Sequence, residues 1–228
     1  VWDVITGKKL LNVRHGSDTV WGVAFARHDR CILTGGNDGT VNLWDAENGA
    51  HLETLIDKGP AIVSLAVSPD EGRILTGGID RIARVWDATS GARRLTLLER
   101  DSDVDSVAFS PDGKQMLTSS EGRIYVGGSA KVWDAASGKE LFSLVGHSRG
   151  ISSVAYSPDS QWIVTGSYDR TAKVWEAKSG KLRFSLDGHS RRVVQVGFSR
   201  DGRRIITGGF DNTCKLWHAA SGQELLTL

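Results

Sequence analysis

Residues 151–180 read ISSVAYSPDSQWIVTGSYDRTAKVWEAKSG, and the stretch carries a complete local grammar. An apolar run with alternating large residues, Val154 and Tyr156, enters the turn Ser157-Pro158-Asp159. A second run ends in Val164-Thr165, a third in Val174-Trp175, and the pair Ser179-Gly180 follows. Short apolar runs bounded by turn residues read as strands, and nothing here has helical periodicity. Ser and Pro at the first two positions suit a type I turn, while Gly tolerates the positive φ of a tight reversal.

The same grammar recurs along the 228 residues. Trp2, Trp44, Trp86, Trp133, Trp175 and Trp217 follow Val or Leu at intervals of 42, 42, 47, 42 and 42. Asp3, Asp45, Asp87 and Asp134 come next in four cases, Glu176 and His218 in the others. Turn pairs then keep the period: Thr6-Gly7, Asn48-Gly49, Ser90-Gly91, Ser137-Gly138, Ser179-Gly180 and Ser221-Gly222. Upstream lie the strands holding Val107 with Phe109 and Val196 with Phe198, and the turns Ser68-Pro69-Asp70 and Ser110-Pro111-Asp112-Gly113. Self-similarity at a period of ~40–45 residues is the mark of a propeller array.

On these Trp-Asp pairs, on Gly146-His147 and Gly188-His189, and on Asp38-Gly39, the chain resembles WD40-repeat proteins over essentially its whole length. The resemblance implies an all-β fold, a β-propeller of four-stranded antiparallel blades with strands a to d running outward from a central channel. Five complete blades are expected over residues 19–57, 61–99, 103–145, 150–187 and 192–228. Residues 1–14 then read as the end of an upstream repeat, with an orphan strand d over Leu10, Leu11 and Val13. The last blade already owns Glu224-Leu225-Leu226-Thr227-Leu228, so two strands compete for one edge. The chain also begins inside a motif without Met. The expectation is a segment of a larger ring, with upstream residues supplying roughly one to three more blades. A closed five-blade ring is the alternative.

The resemblance also assigns an internal hydrogen-bond network to His147, Thr165, Asp169 and Trp175, and again to His189, Thr207, Asp211 and Trp217. Thr, His and Asp together look like a nucleophilic triad. Repetition from blade to blade and an indole as fourth member argue for structure instead, because every buried polar group finds a partner. At the His position the other blades carry Lys58, Arg100 and Gly16, the last with His15 one residue early. Their networks are expected to be incomplete and the first three blades looser than the last two.

Lys plus Arg total 28 and Asp plus Glu 27, a net charge of +1 that gives no bulk pull toward nucleic acid or anionic membrane. No apolar run approaches the ~20 residues of a spanning helix. Cys31 and Cys214 alone exclude a disulfide framework, and a reducing, cytoplasmic location is expected. No metal-ligand spacing, phosphate loop or nucleophile elbow occurs, so no metal, cofactor or catalytic residue is expected. Asp101, Asp103, Asp105 and Asp112 begin like a calcium loop, but Ser106 stands where the sharp turn needs Gly; an acidic patch on the top rim is the better reading.

Binding residues are sought on the face that b–c and d–a loops share in the family. Tyr168 and Phe210 precede a hairpin Asp, Arg149 and Arg192 lie in d–a loops, and Trp21 follows the first residue of a strand a. Rigid aromatics beside arginines have the composition of a binding hot spot. For Trp21, packing against the next loop is the competing reading. Thr118 to Trp133 spans 15 residues where the other full blades have 10, so five extra residues enter the 119–130 connection. Arg123 and Tyr125 there read either as partner contacts or as part of a tolerated surface insertion. The function expected is a non-catalytic scaffold for a protein or peptide. The alternative is a regulatory propeller of a larger kinase or signalling NTPase.

Overall fold

The computed structural model describes residues 1–16, 19–99, 102–122 and 127–228. Its strands form five antiparallel sheets of four, with no helix among the described residues. The first sheet holds β1 (Val20–Ala26), β2 (Cys31–Gly36), β3 (Val41–Asp45) and β4 (His51–Ile56). The second holds β5 (Ile62–Val67), β6 (Arg73–Gly78), β7 (Ile82–Asp87) and β8 (Arg93–Leu98). β9 (Val104–Phe109), β10 (Gln115–Ser120), β11 (Ala130–Asp134) and β12 (Glu140–Leu144) make the third. The fourth comprises β13 (Ile151–Tyr156), β14 (Trp162–Ser167), β15 (Thr171–Glu176) and β16 (Leu182–Asp187). β17 (Val193–Phe198), β18 (Arg204–Gly209), β19 (Cys214–His218) and β20 (Glu224–Thr227) complete the fifth. Spatial order follows chain order in every sheet, so each is a meander of hairpins, the form of a propeller blade.

Side-chain chemistry closes the turns. In the a–b turns Ser68, Ser110, Ser157 and Ser199 donate through Oγ to Asp70, Asp112, Asp159 and Asp201 at 2.5–2.7 Å. In the c–d turns Asp45, Asp87 and Asp134 accept backbone N–H groups two and three residues on. These are local bonds that compete with strand pairing and so end the strand. Gly91 shows why the following residue is glycine: its φ is +66°, and a Cβ there would lie 2.0 Å from the Leu55 carbonyl oxygen of the preceding blade.

The apolar core lies between blades. Leu43 and Leu55 of the first pack with Ile62, Leu65 and Trp86 of the second. Trp133, Trp175 and Trp217 repeat the arrangement, each on the blade before its own. Near the inner strands Ser64, Ser106 and Ser153 accept the backbone N–H of Val107, Val154 and Val196 across the interface at 3.2–3.3 Å. Apolar burial at ~25 cal/mol per Å2 drives this stacking, and the hydroxyls satisfy inner-strand amides that the ladder leaves over.

Two blade faces have no such neighbour. Val23 is 62% exposed, whereas Val154, at the same point of the fourth blade, is 6% exposed. On the far face of the fifth blade Ile206 is 47% exposed against 0% for Val164. The five blades therefore form an open arc, and the closed five-blade alternative is not the arrangement found.

The expected strand over Leu10, Leu11 and Val13 does not form, and the only bridge in the segment pairs Trp2 with Lys9. Without a and b partners there is no ladder for it to extend. Its turn nevertheless repeats the others: Asp3 accepts from the N–H groups of Ile5 and Thr6, and Gly7 has φ +65°. Leu11 also packs at Gly49 of the first blade, where Phe142 and Phe184 meet Gly180 and Gly222 further along.

Candidate functional site

The b–c and d–a loops gather at one end of the arc, here called the top, and backbone bonds tie them together. Asn37, Ile79, Tyr168 and Phe210 donate N–H to the carbonyls of Thr19, Ala61, Gly150 and Arg192. Below them lies the buried polar network. Trp175 Nε1 donates to Thr165 Oγ1 (2.9 Å), that hydroxyl lies 2.7 Å from His147 Nε2, and His147 Nδ1 lies 2.8 Å from Asp169 Oδ2. Trp217, Thr207, His189 and Asp211 repeat it at 2.9, 2.8 and 3.0 Å. With the indole donating to Thr, the hydroxyl hydrogen goes to imidazole and the imidazole N–H to carboxylate, so each group is used once.

Burial pulls the Asp169 carboxyl upward. His147, Thr171 and the Ser148 amide outweigh it and hold the group well below the usual carboxylate range. Asp211 behaves likewise: burial is overcome by Thr213, the Ser190 amide and His189. Thr165 and Thr207 are fully buried, so neither hydroxyl has an open side from which to meet a substrate.

The first and third blades depart from the expectation of an incomplete network, and the second does not. In the first, His15 is buried and completes the network after all, with Nδ1 2.6 Å from Thr34 Oγ1 and Nε2 3.2 Å from Asp38 Oδ1. Entering one residue early, the ring reaches the same partners with its nitrogens exchanged. In the second, Trp86 donates to Thr76 (2.8 Å), while Asp80 takes Arg84 of strand c in a two-pronged pair. In the third, Trp133 donates to Thr118 and Thr118 to the buried Glu99, which faces Lys131 Nζ at 3.5 Å. Burial raises the Glu99 carboxyl, and Thr118 and Lys131 oppose that rise. Sequence reasoning missed Glu99, Arg84 and Lys131. Glu99 precedes Arg100 as His15 precedes Gly16, and that shared offset is the signal that could have found it.

Above the networks, four side chains run across the tops of three blades. The Tyr168 hydroxyl donates to Glu121, which joins the fourth blade to the third. The Arg192 guanidinium lies 5.0 Å from the Tyr168 ring centre and 3.9 Å from that of Phe210, joining the fourth blade to the fifth. Burial, the bond to Glu121 and the nearby Asp105 charge all raise the Tyr168 phenol, which stays protonated. Phe210 is 51% exposed and Tyr168 half-buried.

Arg149 borders this run: its carbonyl accepts from Gly128 N and Ser167 Oγ, and its side chain is exposed. Trp21 is 60% exposed on β1 of the first blade and makes no aromatic or cation–π contact with the run. Arg123 and Tyr125 lie outside the described residues, as do Arg100 and Asp101. Asp105 sits half-buried on β9, its Oδ2 without a partner among the described residues. Burial, then Glu121 and Asp103, push its carboxyl up to about 7. No cluster of three His, Cys, Asp or Glu fit to hold a metal occurs among the described residues, and no helix is long and apolar enough to cross a membrane.

A family model described as "WD domain, G-beta repeat" matches residues 8–45, 50–87, 93–134, 138–176 and 180–218. The last four matches begin near an outer strand and end at the strand c Trp pair of the next sheet, one strand out of phase with the blades. No curated protein matches the chain.

Proposed function

The chain belongs to the WD40-repeat family, and from that premise we propose that it is a non-catalytic platform binding a protein or peptide across the top of blades three to five. Propellers of this family generally bind proteins or peptides. The observation that carries the site is the run Glu121, Tyr168, Arg192, Phe210, in which each side chain fixes the next while one face stays open. Binding here is preorganisation: the ordering cost that association normally carries is already met in the free protein. Arg149 borders the surface, and Trp21 marks a separate point on the first blade. We read the location as cytoplasmic, on the support of the free thiols of Cys31 and Cys214.

A photoreactive phenylalanine at position 210 should yield an adduct with the partner, and one at Lys178, beside the opposite face, should not. Alanine at Tyr168, Phe210 and Arg192 should then weaken capture of that same partner. Equal adducts at both positions would remove the top face from consideration.

A second reading concerns the open faces. We read residues 1–14 as the end of an upstream repeat and the bare flank of β1 as the seat of a further blade. The exposure of Val23 and the packing of Leu11 on Gly49 support this. In the full-length protein Val23→Lys should destabilise as Val154→Lys does. Tolerance of Val23→Lys there would end this reading.

A further inference from the structure

Resting on the platform reading above, we infer that the top of the fourth and fifth blades takes an acidic peptide segment, one of whose oxyanion side chains seats in the fork of Arg192. The Arg192 Cζ lies over the rings of Phe210 and Tyr168, at 3.9 and 5.0 Å from their centres. A cation–π contact is not a hydrogen bond and engages none of the five guanidinium N–H donors. Arg192 makes no side-chain hydrogen bond or ion pair among the described residues, whereas Arg84 and Arg94 are engaged by Asp80 and Asp87. Its backbone is anchored too, because Phe210 N–H donates to the Arg192 carbonyl at 2.8 Å. A guanidinium held between two rings, with its donors free, is preorganised for a carboxylate or phosphate.

The surrounding charge has the same sign. Arg149, Arg170 and Arg191 stand exposed in the same loops and likewise have no ion-pair partner among the described residues. Two of the nearby carboxylates do not offset them outwardly. Asp169 and Asp211 turn inward onto His147 and His189, and their side chains are only 8% exposed. Asp187 is exposed at the end of the outer strand β16. Among the described residues the sign reverses over the third blade, where Glu121, Asp103 and Asp105 meet. The acidic residue of a partner is thus drawn to Arg192 and repelled one blade away, which gives the surface a direction. Phe210 and the half-buried Tyr168 supply apolar area for the neighbouring side chain. Four cations on two blades fit a short acidic segment; a polyanion such as nucleic acid would need a longer stripe.

The test is fluorescence anisotropy with three labelled decapeptides: alternating Glu and Ala, alternating Lys and Ala, and the Glu probe with one phosphoserine. A single-stranded oligonucleotide serves as a fourth probe. The Glu probe should bind and the Lys probe should not, with affinity falling as salt is raised. Arg192→Gln should weaken the Glu probe by about tenfold, the scale of one charge-assisted contact. Arg192→Lys should lose most of that too, since an ammonium offers no fork, and Arg94→Gln on the second blade should change nothing. A much tighter phosphoserine probe would identify phosphate as the oxyanion source; parity would identify carboxylate. Equal binding of the Glu and Lys probes, no binding of the Glu probe at millimolar concentration, indifference to Arg192→Gln, or preference for the oligonucleotide would each overturn the inference. Should position 210 still crosslink its partner while Arg192→Gln has no effect, the site reading survives and the acidic partner falls; loss of both removes the site.

Discussion

Phe210 N–H donates to the carbonyl of Arg192 at 2.8 Å while the Arg192 guanidinium lies 3.9 Å from the Phe210 ring centre, so two residues 18 apart in sequence clasp each other through backbone and side chain at once. The clasp matters unequally for stability and for binding. Phe210 is half exposed, so its truncation removes little buried area, and an exposed cation–π contact contributes ~0.5–1 kcal/mol. Phe210→Ala should therefore lower folding stability by less than about 1 kcal/mol in a urea titration. Affinity for the captured partner should fall by ~2 kcal/mol or more, the scale of a hot-spot anchor. A loss of stability equal to the loss of affinity would show that the residue serves folding.

Glycines in equivalent turns should respond differently to the same substitution. Gly7 and Gly91 have φ of +65° and +66°, but a Cβ on Gly7 meets nothing within 4 Å, while one on Gly91 meets Leu55 O at 2.0 Å. Gly7→Ala isolates the left-handed backbone cost, ~1 kcal/mol or so. Gly91→Ala adds displacement of the preceding blade's backbone and should cost well over twice as much in chemical denaturation. Equal costs would mean that the blade interface yields without resistance.

Periodicity was the legible part of this molecule. The recurrence of Trp, turn pair and Ser-Pro-Asp in the sequence locates every sheet, because each blade must satisfy the same turn and present the same apolar flanks. The networks were legible only where the motif was whole. His147 and His189 stand in register, but His15 and Glu99 enter one residue early. A one-residue shift in a loop changes the approach of a side chain without moving its strand, so spacing arithmetic scored them as losses. Arg84 and Lys131 were hidden for another reason: on strand c they read as solvated cations, and only the fold shows Asp80 and Glu99 opposite them. The top-rim aromatics were recognised by composition, yet nothing in the sequence states that Arg192 lies between Tyr168 and Phe210.

The third blade's substitute network should be more sensitive than the regular one. Thr165→Val strands an indole N–H and one imidazole nitrogen, and the lost bonds cost ~1–3 kcal/mol together. Thr118→Val strands the Trp133 indole and also removes a donor from Glu99, a buried carboxyl whose remaining support is Lys131 at 3.5 Å. Thermal melts at neutral pH should show the larger drop for Thr118→Val. The gap should narrow in acid, where Glu99 protonates and no longer needs the donor. A Thr165→Val loss that exceeds that of Thr118→Val at neutral pH would contradict this account.

Stability against pH should have opposing limbs that separate by mutation. The Asp169 and Asp211 carboxyls are held low in the folded state, so their contribution is complete above the ordinary carboxylate pKa of ~3.9 and is lost as pH falls through the depressed folded values. Asp105 works in the other direction. Its folded carboxyl is pushed up to about 7, so between ~4 and 7 the unfolded chain has released a proton that the native state keeps. Fewer protons on the unfolded chain means that stability declines as pH rises through that window, and above it the full penalty remains. Replacing Asp105 by Asn removes the charge and keeps the shape. At pH 8 Asp105→Asn should stabilise the fold by on the order of 1–2 kcal/mol, since water reaches the partly exposed carboxyl and softens its burial penalty. At pH 4, where the native carboxyl is already neutral, it should change little, and Asp169→Asn should instead flatten the acid limb. The gain at pH 8 must exceed the gain at pH 4: a constant gain at both would place the effect in packing, and a loss at pH 8 would mean that Asp105 is ionised and satisfied by a partner on the third blade.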